Sequence, residues 1–150
     1  MKSSCRLVDA KDFDSLITRA LLRKTPVLLF SFGLRKRVIL RRLIASVAPD
    51  SRANLVNAPL YVNTRPALGT VEIWLYCRRL DTQLRRSRKR LGLVAIADLQ
   101  RIAGRFRQRK LMDLKALAQE IQLPVIVTQT PRWDSCSDQM IEVKRPKSRC

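Results

Sequence analysis

Short apolar, β-branched runs alternate along this chain with segments whose apolar residues recur every three or four positions. Residues 26–32 (PVLLFSF) form the first run, and its continuity predicts a strand buried on both faces. Behind it, Leu40, Leu43, Ile44 and Val47 fall on one side of a helix that Pro49 stops. Residues 58–64 (APLYVNT) predict a second strand. A helix follows from Thr70 to about Arg86, with Thr70 as N-cap and Ile73, Cys77, Leu80 and Leu84 as its apolar stripe. Residues 91–99 (LGLVAIADL) have the continuous apolar character of a central parallel strand. Leu111, Leu114, Ala118 and Ile121 stripe another helix, and residues 124–130 (PVIVTQT) predict the next strand. Residues 140–144 (MIEVK) read as a last, more exposed strand. Strands alternating with helices predict an α/β domain, a parallel sheet with helices on both faces. The 150 residues suit one domain, with residues 1–9 and 145–150 as expected flexible ends.

Charge adds a partner to this picture. The chain has 31 Lys+Arg against 12 Asp+Glu, a net +19. So basic a domain repels itself unless a polyanion neutralises it, and nucleic acid does so by releasing its condensed counterions. The cations cluster. Arg35, Lys36, Arg37, Arg41 and Arg42 flank the first predicted helix, and Lys144, Arg145, Lys147 and Arg149 end the chain. Arg85, Arg86, Arg88, Lys89 and Arg90 lead into a strand and read as a solvated loop. Arg101, Arg105, Arg107, Arg109 and Lys110 follow a strand end, the side on which parallel sheets bind ligands, and are the expected phosphate-contacting group. Phe106 is the one aromatic residue interleaved with charge, which favours backbone contact over base readout.

Other chemistries are poorly supplied. There is no His, and Cys5, Cys77, Cys136 and Cys150 are scattered, so no metal-ligand spacing and no Ser-His or Cys-His pair exists. The cysteines read as reduced thiols in a cytoplasmic protein. No apolar run is long enough to span a bilayer, and no membrane partner is expected.

Several blocks in order resemble a DnaB-type replicative DNA helicase, in its C-terminal RecA-like ATPase domain. PVLLFSF with LRKRVILRRLIASVA resembles the strand and helix after that family's nucleotide-binding loop. NAPLYVNTRPALGTVEIWLYCRRL resembles a following strand, turn and helix. LGLVAIADLQ resembles the Walker B strand, and MDLKALAQEIQLPVIVTQTPR the helix and strand ending in the sensor Gln. The resemblance spans roughly residues 26–132 and implies a truncated RecA-like sheet, ATP and Mg²⁺ as the family's cofactors, and DNA or a replisome or helicase protein as partner. Gln129 and Arg132 match the sensor strand, and Lys144 matches the Lys near the arginine finger.

The departures change what the resemblance implies. No Gly-x-x-x-x-Gly-Lys-Ser/Thr loop is present, and Lys24-Thr25 abuts the strand at Pro26, so the first strand–loop–helix unit is expected to be missing. Its loss would leave apolar surface exposed. Gly33 stands where the family has its catalytic Glu. The Walker B Asp falls on Ala97, and Asp98, one residue late, would face the other side of the strand. The expectation is a helicase-like domain with no catalytic residues, no metal site and no bound cofactor of its own, binding DNA or a replisome partner through a basic surface. Two alternatives stay open. One is a Mg²⁺-dependent nuclease using Asp50 with Glu142, Val143 and Lys144; the other is a non-functional remnant.

Overall fold

A computed structural model describes residues 4–129 of the chain. Among these, five strands form one sheet: β1 (Cys5–Leu7), β2 (Val27–Phe30), β3 (Leu60–Asn63), β4 (Leu93–Ile96) and β5 (Val125–Val127), in spatial order β1-β5-β4-β2-β3. Every pairing is parallel. The connecting helices are α1 (Ala10–Leu22), α2 (Lys36–Ala45), α3 (Arg52–Val56), α4 (Thr70–Arg86) and α5 (Arg107–Ile121).

The period of two along each strand divides the core into two layers. Leu93, Ala95 and Ala97 face the side where Phe13, Ile17 and Leu21 of α1 pack with Ile39 and Leu43 of α2. Val94 and Ile96 face the side covered by Ile73, Cys77 and Leu84 of α4 and by Leu114, Leu117 and Ala118 of α5. β2, β4 and β5 are buried at every position. Each large apolar side chain among them contributes about 1.5–3 kcal/mol by leaving water. This is why these three strands read as continuous apolar runs.

Two expectations are corrected at the amino end. The segment expected to be a flexible end contains β1, and a full helix follows it. Phe13, Ile17, Ala20 and Leu21 are the buried stripe of α1, a helical repeat to which no element was assigned. A first strand–helix unit is therefore present, and the apolar face expected to be left bare is covered by α1. β1 carries little local signal: three residues, two of them exposed, paired along one side with β5 through Cys5–Val125 and Leu7–Val127. Only the partner strand makes it a strand.

α4 keeps the expected bounds but not the expected cap. The N-cap is Gly69, whose backbone N–H donates to Glu72 Oε1 at 2.9 Å. Thr70 Oγ1 instead donates to Asp113 Oδ2 at 3.2 Å, tying α4 to α5. The strand expected at 140–144 and the end at 145–150 lie outside the described residues. No helix among the described residues is long and apolar enough to cross a membrane.

Candidate nucleic-acid interface

In a parallel sheet all strands end at one edge, and the helices that follow begin there. At this edge α1, α2, α4 and α5 start, and their starts differ in charge. Asp9 caps α1 by accepting from Asp12 N at 2.8 Å, with Asp12 itself in the first turn. α4 has Glu72 in its first turn. α2 begins at Arg35 without a side-chain cap, and Lys36 and Arg37 open it with no acidic residue in the first turn. α5 begins at Phe106, also without a side-chain cap, and Arg107 and Arg109 open it with no acidic residue there either. A helix start carries partial positive charge and free N–H donors, so added cations are unfavourable there and an anion is favourable. The two uncapped basic starts follow β2 and β4, which are neighbours in the sheet.

The individual side chains sort by partner. Arg101 lies 3.5 Å from Asp98 Oδ2, so part of its charge is answered within the fold. Arg105, Arg107 and Arg109 are exposed and have no carboxylate partner among the described residues. Lys110 departs from the expected surface role. It is 8% exposed, because its stem lies along Gly104, where an added Cβ would come within 3.4 Å of Lys110 Cε. Gly104 turns the chain at φ +130°, and Ala103 N donates to Leu68 O at 2.8 Å, which anchors this loop to the one before α4. Phe106 is 68% exposed between Arg105 and Arg107.

Arg35, Lys36 and Arg37 belong to the same edge, although the sequence reading gave them no site. Their signal was available: a buried strand, a turn, then a helix start with three cations and no cap. Arg65, after β3, adds a further cation; its Nη1 donates to Tyr76 Oη at 3.2 Å, and that bond holds the Tyr76 hydroxyl below its usual pKa.

The positions that the ATPase resemblance makes critical occupy the same edge. Val8 and Asp9 alone join β1 to α1, with no glycine between them. The Asp9 carboxylate already fills the α1 start, the position where a helix would receive a phosphate. Gly33 follows β2 at φ +117°, a backbone that no carboxylate-bearing residue adopts without strain. Ala97 is buried against the α1 side. Asp98 continues the strand in extended conformation and turns the other way, accepting from Gln100 N at 3.0 Å. These residues do not fit a nucleotide–Mg²⁺ site. Among the described residues no three His, Cys, Asp or Glu side chains gather where they could hold a metal.

Gln129 follows β5 and is half-buried. Thr128 N donates to Ile96 O at 3.1 Å and Leu99 N to Thr128 O at 2.9 Å, which holds Gln129 close to the end of β4. Arg132 and Lys144 lie outside the described residues, as do Glu142 and Val143. Asp50 is exposed in a short 3-10 turn after the far end of α2, on the edge opposite the basic helix starts.

Among solved structures, a helicase ATPase domain superposes with a TM-score of 0.63 over 97% of this chain and 63% of that one, at 18% identity. A DnaB-like replicative helicase, described together with its interactions with primase, gives a TM-score of 0.61 over 96% of this chain and 41% of that one, at 19% identity. The fold is that of DnaB-like helicase ATPase domains. The chain spans less than two-thirds of the length of either structure. No protein-family model matches the sequence, and no curated protein matches it either. The RecA-like α/β class expected from the residue pattern thus has direct structural counterparts.

Proposed function

We propose that this DnaB-like domain binds DNA through the edge at which its strands end, without hydrolysing ATP, and works beside a helicase or replisome protein. The observation that carries the reading is the pair of adjacent, uncapped helix starts of α2 and α5, both opened by cations. Each opposes its own helix dipole, and a strand of phosphates relieves both at once. Arg105, Arg107 and Arg109 are the principal contacts, with Arg35, Lys36 and Arg37 extending the track across β2 and Phe106 available to stack on a base. The Asp9 carboxylate at the α1 start, Gly33 and Ala97 support the absence of ATP hydrolysis, since phosphoryl transfer depends on a phosphate loop, a metal ligand and a positioned carboxylate.

The test is binding of the purified, nuclease-treated chain to fluorescent single-stranded DNA across a salt series, with ATP and Mg²⁺ present. Released phosphate is measured in parallel and the DNA is run on a gel. The expected result is binding that weakens steeply with salt, intact DNA and no phosphate release above the buffer rate. Binding indifferent to salt, or DNA-stimulated phosphate release, refutes the proposal.

A further inference from the structure

The opposite edge of the sheet, where the strands begin, carries a groove of about 630 Å³. Lys24, Lys89 and Arg90 line it with the carboxamides of Asn54 and Asn57, over a floor that includes Pro26 and Pro59. Its basic wall is built from two helix endings of the same unusual kind. α1 runs into Lys24 at φ +61° and α4 into Arg88 at φ +59°. In the first, Lys24 N donates to Leu21 O at 2.9 Å and Thr25 N to Ala20 O at 3.0 Å; in the second, Arg88 N donates to Arg85 O and Lys89 N to Leu84 O, both at 2.9 Å. Helices normally end such left-handed turns on glycine, because a side chain is penalised there. This chain uses a Lys and an Arg instead.

The two turns are fixed against each other. Gly92 N donates to Pro26 O at 2.9 Å, and a Cβ on Gly92 would overlap the Thr25 methyl group. The cations are therefore presented from rigid elements, not from a floppy loop. Lys24 and Lys89 have no carboxylate partner among the described residues. Arg90 shares Asp81 with Arg85, at 3.5 Å against 3.0 Å, so one acidic group answers two guanidinium groups. Asn54 and Asn57 make no side-chain hydrogen bond among the described residues, which leaves their amide donors free to turn into the groove.

We infer that this groove is a phosphate-binding site, with Lys24 and Lys89 as the contacting cations, Arg90 in support, and Asn54 and Asn57 as neutral donors. The phosphodiester of a second stretch of nucleic acid and the phosphates of a free nucleotide share the chemistry it recognises. The site stands apart from the carboxyl-edge interface and does not depend on it. It assigns a role to a cluster that reads, from sequence, as a solvated loop.

The test is a titration of the full chain with inorganic pyrophosphate and, separately, with a short oligothymidylate, following backbone amide resonances. Three forms are compared: the unchanged chain, K24G/K89Q and K24R/K89R. Lys24→Gly suits the left-handed backbone and should not lower the melting temperature, so lost binding cannot be ascribed to unfolding. The expected result is shifts at Asn54, Asn57 and Gly92 that weaken in K24G/K89Q and persist in K24R/K89R. For the oligonucleotide, the slope of log affinity against log salt should fall by about 1.4, two contacts at about 0.7 each. A response to oligothymidylate alone makes the ligand a strand; a response to pyrophosphate as well makes it phosphate in general. Shifts confined to residues 35–37 and 101–110, or equal affinities in all three forms, overturn the inference.

Discussion

Arg107 and Arg109 should act in opposite directions on stability and on binding. Both lie in the first turn of α5, which has no side-chain cap and no acidic residue there. A charge of the wrong sign at a helix start costs about 0.3–1 kcal/mol, so Arg107→Ala with Arg109→Ala should stabilise the fold by about 0.6–2 kcal/mol. For a domain of this size that is a rise of roughly 1–8 °C in melting temperature. The same double variant removes two phosphate contacts. The salt slope for single-stranded DNA should fall by about 1.4, and affinity near ~0.1 M salt should drop about 25-fold. Melting is best followed at ~10 mM salt, where the helix-end effect is least screened, and binding by fluorescence anisotropy between ~50 and 300 mM. A variant that melts lower, or one that melts higher yet binds DNA with an unchanged slope, refutes the reasoning. The first outcome would mean that these arginines have stabilising partners in the fold; the second would mean that the α5 start does not touch phosphate.

Three further outcomes follow from the geometry. Asp9→Ala removes the α1 cap and should cost about 0.5–2 kcal/mol in urea unfolding, with DNA affinity unchanged; full retention of stability would mean that the Asp9–Asp12 bond contributes nothing. Burial pushes the Cys77 thiol from 9.0 up to about 12, with Asp81 adding to the shift. A raised folded-state pKa gives a contribution that is intact below pH 9.0 and declines as pH rises toward about 12. Unfolding titrations between about pH 8 and 11 should therefore fall less steeply in Cys77→Ala, and identical slopes would contradict the burial argument. Gly92→Ala should cost about 1–3 kcal/mol through overpacking against Thr25, and Thr25→Ser in the same chain should recover part of it; a neutral Gly92→Ala would show that the two turns are not locked.

The strands that needed no partner to be recognised were β2, β3, β4 and β5. Three of them are buried on both faces, and double burial demands continuous apolar runs whatever the neighbours are. α4 was legible from Ile73, Cys77 and Leu84 at helical spacing, and the displacement of Asp98 from Ala97 was legible because side chains alternate along a strand. The basic charge, and with it a polyanionic partner, follows from counting.

Tertiary structure decided the rest. β1 is a strand only because β5 offers it an unpaired edge, since three residues of mixed exposure carry no periodic signal. Lys110 could not be separated from Arg109 by type or spacing; the fold separates them, burying one stem along Gly104 and leaving the other side chain in solvent. The clusters at 35–37 and 105–109 are about seventy residues apart in sequence, and only the pairing of β2 with β4 makes them neighbours. Composition fixes how much charge a chain carries. Where that charge becomes a surface depends on which strands pair, because strand pairing brings distant helix starts to one edge.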